Sequence, residues 1–173
     1  LPIFHVPLIH PILAAKQIVT GDHVGRGRFG VNIVCGWHRD EFDMFQSEQY
    51  EHDARYAFAA EWWSVVTSLW QKDNATEHRG KFFSFANLEA SPKPYGDARP
   101  LMMNAGASPA GRDFAIHHSD LHFDYCRTPE DSAPRVAESK ALATALGKRV
   151  QVWIPASIVC RPTEKEEIGR AHV

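Results

Sequence analysis

The chain has 173 residues, 44% hydrophobic and 23% charged, with a formal net charge of -2, which suits a globular protein with a sizeable core. With no basic excess and no run of like charge, it lacks the electrostatic footprint of a binder of nucleic acid or of an anionic membrane. Three cysteines, Cys35, Cys126 and Cys160, lie far apart and never in a CxxC pair, which speaks against a disulfide framework or thiolate zinc site and points to a reducing, cytoplasmic setting.

The opening LPIFHVPLIHPILAA is apolar, but its prolines and histidines and the lack of a basic leader make it strand and helix, not a targeting segment or a membrane span. Leu1 already sits inside a strand pattern, so preceding sequence is expected. Ile3 to Val6 reads as that strand. Pro11 to His23 then carries a helical apolar face through Ile12, Ala15, Ile18 and Val19, stopped by Gly25 and Gly27. Phe29 to Cys35 is a continuous apolar run of the kind buried on both faces of a parallel sheet, and a polar loop follows to about His52. Asp53 is placed to cap a helix whose apolar positions Tyr56, Ala59, Ala60, Trp63, Val66 and Trp70 recur at helical spacing.

Farther on, HRGKFFSF reads as a hairpin excursion and SPKPYGDARP as a connection into a short strand, Leu101 to Asn104. A helix begins at Ser108-Pro109. Leu121, Phe123 and Tyr125 alternate with Asp120, His122 and Asp124 as in a strand. Thr128-Pro129 opens a helix ending at Leu146-Gly147, and Val150 to Val159 is the last strand. This alternation is an α/β pattern with parallel strands, either doubly wound or part of a β/α barrel. A complete barrel takes about 250 residues, so five strands here would be the middle of one, a (β/α)8 barrel not closed. Residues 1–167 are read as that partial domain. Ile168 to Val173 is set aside as a non-native tail, because one simple choice of codons for it spells a common sequencing adapter.

Three motifs carry chemistry. GRGRFG, Gly25 to Gly30, matches GxGxxG, but a helix precedes it and a strand follows, the reverse of a dinucleotide fingerprint; it reads as a tight helix-to-strand turn. NAGASPAG, Asn104 to Gly111, ends a strand with small residues, then offers Ser108 as a cap and Pro109 in the first helical turn. Gly106 there lets backbone approach a ligand, so this is either a phosphate cradle or simply a well-capped helix. Asp120, His122 and Asp124 share one strand face and could hold a divalent ion, although polar side chains lining a barrel interior and paired with one another explain the pattern more cheaply. Trp37, just past a strand end, is either at the chemistry or a loop anchor. No GxSxG elbow is present.

Taken in order, DHVGRGRFGVNIVCGWHRDEF, EHDARYAFAAEWW and SPKPYGDARPLMMNAGASPAGRDFA resemble the bacterial luciferase-like family of flavin-dependent monooxygenases, from about His5 to Glu167. The resemblance implies a (β/α)8 barrel. It implies reduced FMN supplied by a separate flavin reductase, dioxygen as co-substrate and a small organic molecule as substrate; a homo-oligomer stays open. Pyrimidine monooxygenases look most similar around GRFGVN and GW, with alkanesulfonate and long-chain alkane monooxygenases more distant. Position by position, Asn32 and Glu41 match flavin-contacting residues, Arg55 and Tyr56 the pair near the flavin phosphate and ribityl chain, and Ser108, beside Gly106, the phosphate-binding serine. His38 is the candidate for proton handling.

Departures from the family pattern are Cys35, where relatives carry threonine, and Gly21, which replaces an apolar residue. An Arg-x-His pair of sulfonate monooxygenases is missing near Pro155-Ala156-Ser157. Three rival functions remain: a deazaflavin-dependent oxidoreductase on the same barrel, a metal-dependent barrel hydrolase built on Asp120, His122 and Asp124, and a binding protein that keeps the flavin site without turnover.

Overall fold

The computed structural model describes residues 1–71, 77–126, 128–155, 160 and 162–163. Its elements run β1 (Ile3–His5), α1 (Pro11–Gly25), β2 (Gly30–Val34), α2 (Arg39–Met44), α3 (His52–Trp70), β3 (His78–Arg79), β4 (Ser84–Phe85), β5 (Leu101–Asn104), α4 (Pro109–His118), β6 (Leu121–Phe123), α5 (Pro129–Ala145) and β7 (Gln151–Trp153). Five strands form one parallel sheet in the order β1-β2-β5-β6-β7. A doubly wound sheet reverses direction at a switch point. Here the order never reverses, so the winding is that of a barrel wall, open at β1 and β7 among the described residues.

Side chains alternate across such a sheet. Phe4, Val31, Ile33 and Met102 are buried in the core with α1 and α3. On the other face Ile3 and Met103 flank Asn32 in register, and Ile3 and Leu101 are 65% and 53% exposed. The expectation that Phe29 to Cys35 is buried on both faces is therefore corrected: its burial is one-sided, because the inner face meets no second layer among these residues.

The expected helix around Trp63 is the centre of the core. Trp62 Nε1–H donates to the Ile9 carbonyl at 2.7 Å and Trp70 Nε1–H to the Ala15 carbonyl at 3.2 Å, so two indoles fasten α3 to α1 and its approach. Asp53 does not cap this helix. The N-cap is Glu51, without a side-chain bond, and Asp53 instead accepts a hydrogen bond from His52 Nδ1 at 2.7 Å. α1 runs through Gly25 and ends at Arg26 in the left-handed region, φ 51°, followed by Gly27 at φ 78°, the helix-to-strand turn expected of GRGRFG. Gly21 faces the Phe29 ring, which fills the space a side chain there would need.

The loop to His52 contains α2, too short and too polar, with only Phe42 buried, to stand out by periodicity. The hairpin expected from HRGKFFSF forms, with His78 opposite Phe85. Glu61 of α3 holds it: its carboxylate accepts from the amides of Lys81 at 2.9 Å, Phe82 at 3.1 Å and Phe83 at 2.8 Å, and from His78 Nε2 at 3.2 Å. Burial pushes its pKa up, but these hydrogen bonds outweigh burial and hold it below the ordinary carboxylate value. The last strand spans Gln151–Trp153; positions 156–159, which the expected strand and the sulfonate comparison include, and the tail 168–173 lie outside the described residues. No helix among the described residues is long and apolar enough to cross a membrane.

Candidate active site

In a parallel wall all the C-terminal strand ends collect at one rim, where barrel enzymes build their sites. At this rim a cleft of about 210 Å³ opens between the ends of β2 and β5, with Gly36, Trp37, Arg55, Tyr56, Asn104 and Gly106 among its walls. Asn104 shapes its floor. The buried amide donates through Nδ2 to the Ile33 carbonyl at 2.6 Å and accepts the Gly106 N–H through Oδ1 at 2.8 Å, tying β5 to β2 and folding the loop after β5 on itself.

Ser108 caps α4, its Oγ accepting the Gly111 N–H at 3.1 Å. Beside the cleft this turn packs backbone against backbone. A Cβ on Gly106 would lie 2.6 Å from Gly111 Cα, and one on Gly111 would lie 2.6 Å from the Tyr56 hydroxyl oxygen. Tyr56, Gly106, Ser108 and Gly111 thus meet in one small region, delivered by α3, the β5 loop and α4.

Behind the loop stands a layer of polar side chains. His122 Nε2–H donates to the Gly106 carbonyl at 3.1 Å, and Arg135 donates to the Ala107 carbonyl at 3.2 Å while gripping buried Asp124 with two further bonds. Burial lowers the pKa of His122, the bond to Gly106 opposing it, so the ring stays neutral near pH 7.

Arg55 donates to the Gly36 carbonyl, and its Nε is buried without a partner among the described residues. Beside it, burial pushes the Cys35 thiol up to about 12 against the pull of the guanidinium. Asn32, on the inner face, carries a buried Oδ1 with no partner among the described residues. Glu41 lies on α2 outside the cleft, 3.2 Å from Nε2 of His5, whose pKa burial lowers and Glu41 partly restores. His38 is exposed at the start of α2, its ring edge on Trp37 at a centroid distance of 5.1 Å. The Trp37 ring is 80% exposed beside the cleft, which does not fit a loop anchor.

The metal reading is corrected. Asp120 is held by Arg99 at 2.8 and 2.6 Å and accepts the Met102 N–H, Asp124 is held by Arg135, and His122 serves Gly106. Buried His122 and Asp124 face the helix layer and not the barrel interior, and each is paired elsewhere, not with the other. Among the described residues no three His, Cys, Asp or Glu side chains are grouped to hold a metal ion. Arg135 and His5 are site neighbours that residue order did not single out, and His122, read there only as a metal candidate, and Asn104, read there only as a strand end, serve the loop instead.

Residues 3–171 match the family model described as luciferase-like monooxygenase. The chain is 38% identical over 156 residues to an FMNH2-dependent dimethylsulfone monooxygenase of Pseudomonas fluorescens, covering 90% of this chain and 42% of that protein. To a pyrimidine monooxygenase of Pantoea ananatis it is 31% identical over 167 residues, covering 93% and 44%. A crystal structure of riboflavin lyase with modified FMN and riboflavin superposes with a TM-score of 0.86 at 23% identity, covering 97% of this chain and 43% of that one. The chain thus spans less than half the length of these relatives, and its sheet is a part of their TIM-barrel fold. With open parallel wall, rim cleft and family match in agreement, the chain belongs to the luciferase-like monooxygenase family.

Proposed function

We propose that the protein is a two-component monooxygenase that takes reduced FMN from a separate reductase and uses dioxygen to oxygenate a small organic substrate in the cytoplasm. The observation that carries this reading is the turn from Gly106 into α4 beside the cleft, where the amides of Ala107, Ser108 and Ala110 meet no backbone acceptor among the described residues. Free amides at a helix start favour an anion.

The residues present suit FMN. The turn between Gly106 and Gly111 offers amide donors at a helix start, with the Ser108 and Tyr56 hydroxyls beside them, for the phosphate. The unpartnered Arg55 Nε suits a ribityl or phosphate oxygen. The unpartnered Asn32 Oδ1 suits a donor, a ribityl hydroxyl or a ring N–H. Bound in its reduced form, the cofactor supplies the two electrons with which dioxygen is activated.

The chain's own residues bind, orient and exclude water. Trp37 borders the cleft and shields it, Glu41 acts through His5, and His38 exchanges protons at the rim. The apolar β2 gives way to Gly36, Trp37 and His38 because its end is where the strand leaves the core for the ligand.

FMN titration of the protein in its full natural length, followed by flavin fluorescence, tests this. Saturable binding that weakens in Tyr56→Phe and Ser108→Ala is expected. Tighter binding of a deazaflavin titrated in parallel would move the assignment to a deazaflavin-dependent oxidoreductase. Stoichiometric metal with no flavin affinity would move it to a hydrolase.

A further inference from the structure

We infer that His122 and Arg135 are positioning residues for the phosphate cradle: they hold the carbonyls of Gly106 and Ala107 away from the cleft so that the amides of the same turn face it. The inference rests on the proposed FMN site and adds two residues outside the Asn32, Arg55, Tyr56 and Ser108 set.

A loop that binds an anion with amides has an orientation problem. Each peptide unit carries its N–H and C=O on opposite sides, so a peptide that flips presents an oxygen where a donor is needed. Small residues flip easily, and Ala105, Gly106 and Ala107 are all small. In this turn each orientation is fastened from behind. The Gly106 carbonyl accepts from His122 Nε2 at 3.1 Å, and the Ala107 carbonyl accepts from Arg135 Nη2 at 3.2 Å.

The fastening groups are themselves held. His122 is fully buried on β6, with Nδ1 unpartnered among the described residues, so Nε2 makes its one bond and carries the proton toward Gly106. Arg135 gives Nε and Nη2 to Asp124, which is also fully buried, leaving the guanidinium one fixed direction along which Nη2 reaches Ala107. Asn104 completes the arrangement from the strand side by taking the Gly106 N–H. The amides of Ala107, Ser108 and Ala110 meet no backbone acceptor among the described residues, and they are the donors left for the ligand.

The histidine therefore does a different job from a titrating acid or a metal ligand. It donates to a carbonyl, which glutamine can also do and leucine cannot. The arginine spans two acceptors, which the single ammonium of lysine does not reproduce.

The test compares FMN with riboflavin, which lacks the phosphate, on the protein in its full natural length. His122→Leu and Arg135→Lys should each raise the FMN dissociation constant about tenfold and leave riboflavin within about twofold, because pre-organisation of phosphate donors is what is lost. His122→Gln should restore FMN affinity. A merely structural role would weaken both ligands together and would not be rescued by glutamine. Equal weakening of the two ligands, or unchanged FMN affinity in the folded variants, overturns the inference. Should His122→Leu fail to fold, Arg135→Lys decides by the same ratio. If the native protein itself does not prefer FMN to riboflavin, the cradle reading falls with the inference. If it does prefer FMN and the variants keep that preference, the inference alone falls.

Discussion

The hydroxyl oxygen of Tyr56 on α3 lies 2.6 Å from the point where a side chain on Gly111 of α4 would begin. Two helices thus come close together beside the cleft, and the smallest residue is what permits it. In an ordinary helix Gly→Ala is stabilising by about 1 kcal/mol. Here the added methyl also meets Gly106 Cα at 2.8 Å, and that backbone cannot move without the loop. Gly111→Ala is expected to lose about 1–3 kcal/mol in urea denaturation, the usual cost of overpacking, and to abolish FMN binding in fluorescence titration.

Glu61 gives an acid-sensitive latch. Its folded pKa is held below the ordinary value of 4.5, so its contribution to stability is present above that value and lost as pH falls through the folded one. Glu61→Gln places an amide NH2 among the amide donors of Lys81, Phe82 and Phe83 and should cost about 1–3 kcal/mol at pH 7. The checking measurement is urea denaturation from pH 7 to pH 3: the variant should show a shallower acid limb than the native protein.

His118 adds a second acid-sensitive group at the other end of α4. Burial against Phe114, with Lys148 and His117 close by, pushes its pKa down to about 4, Asp113 opposing weakly. A lowered folded value means that its contribution is present above the unfolded value of 6.5 and is lost as pH falls from there toward 4. Its ring resonances in a proton NMR titration should therefore have a midpoint near 4. A midpoint near 6.5 would show the ring to be solvated.

The three cysteines should separate by reactivity. The thiolate is the nucleophile, and burial pushes the Cys35 thiol up to about 12, whereas Cys160 is exposed and Cys126 half-buried. A thiol reagent at pH 8 should label Cys160 first and Cys126 more slowly, with Cys35 last. Peptide mapping checks the order, and labelling of Cys35 as fast as Cys160 would show its thiol open to solvent through the cleft it borders.

Much of this arrangement is readable from residue order, and the exceptions have physical causes. The α3 periodicity, the β5 strand and the Ser108-Pro109 helix start are written locally, in spacing and capping chemistry. The face of β6 is not. Alternation separates His122 and Asp124 from Leu121 and Phe123, but in a barrel wall both faces are covered in the end, so polarity does not say which set faces the helices. The answer lies in Arg135, eleven positions after Asp124 on another element, and in the carbonyls of Gly106 and Ala107. Asp53 failed as a cap for a similar reason, because the adjacent His52 captures its carboxylate.

On the proposed function a flavin phosphate binds at the turn from Gly106 to Gly111, with the rest of the cofactor reaching along the inner face toward Asn32. Titration of the nitrogen-15-labelled protein with FMN tests it most directly. Saturable shifts are expected at the amides of Ala107, Ser108 and Ala110 and at the Asn32 side chain, with Ser108→Ala weakening binding by about 1–3 kcal/mol, as for a hydrogen bond to a charged group. Shifts confined to other regions, or none at saturating FMN, would contradict it.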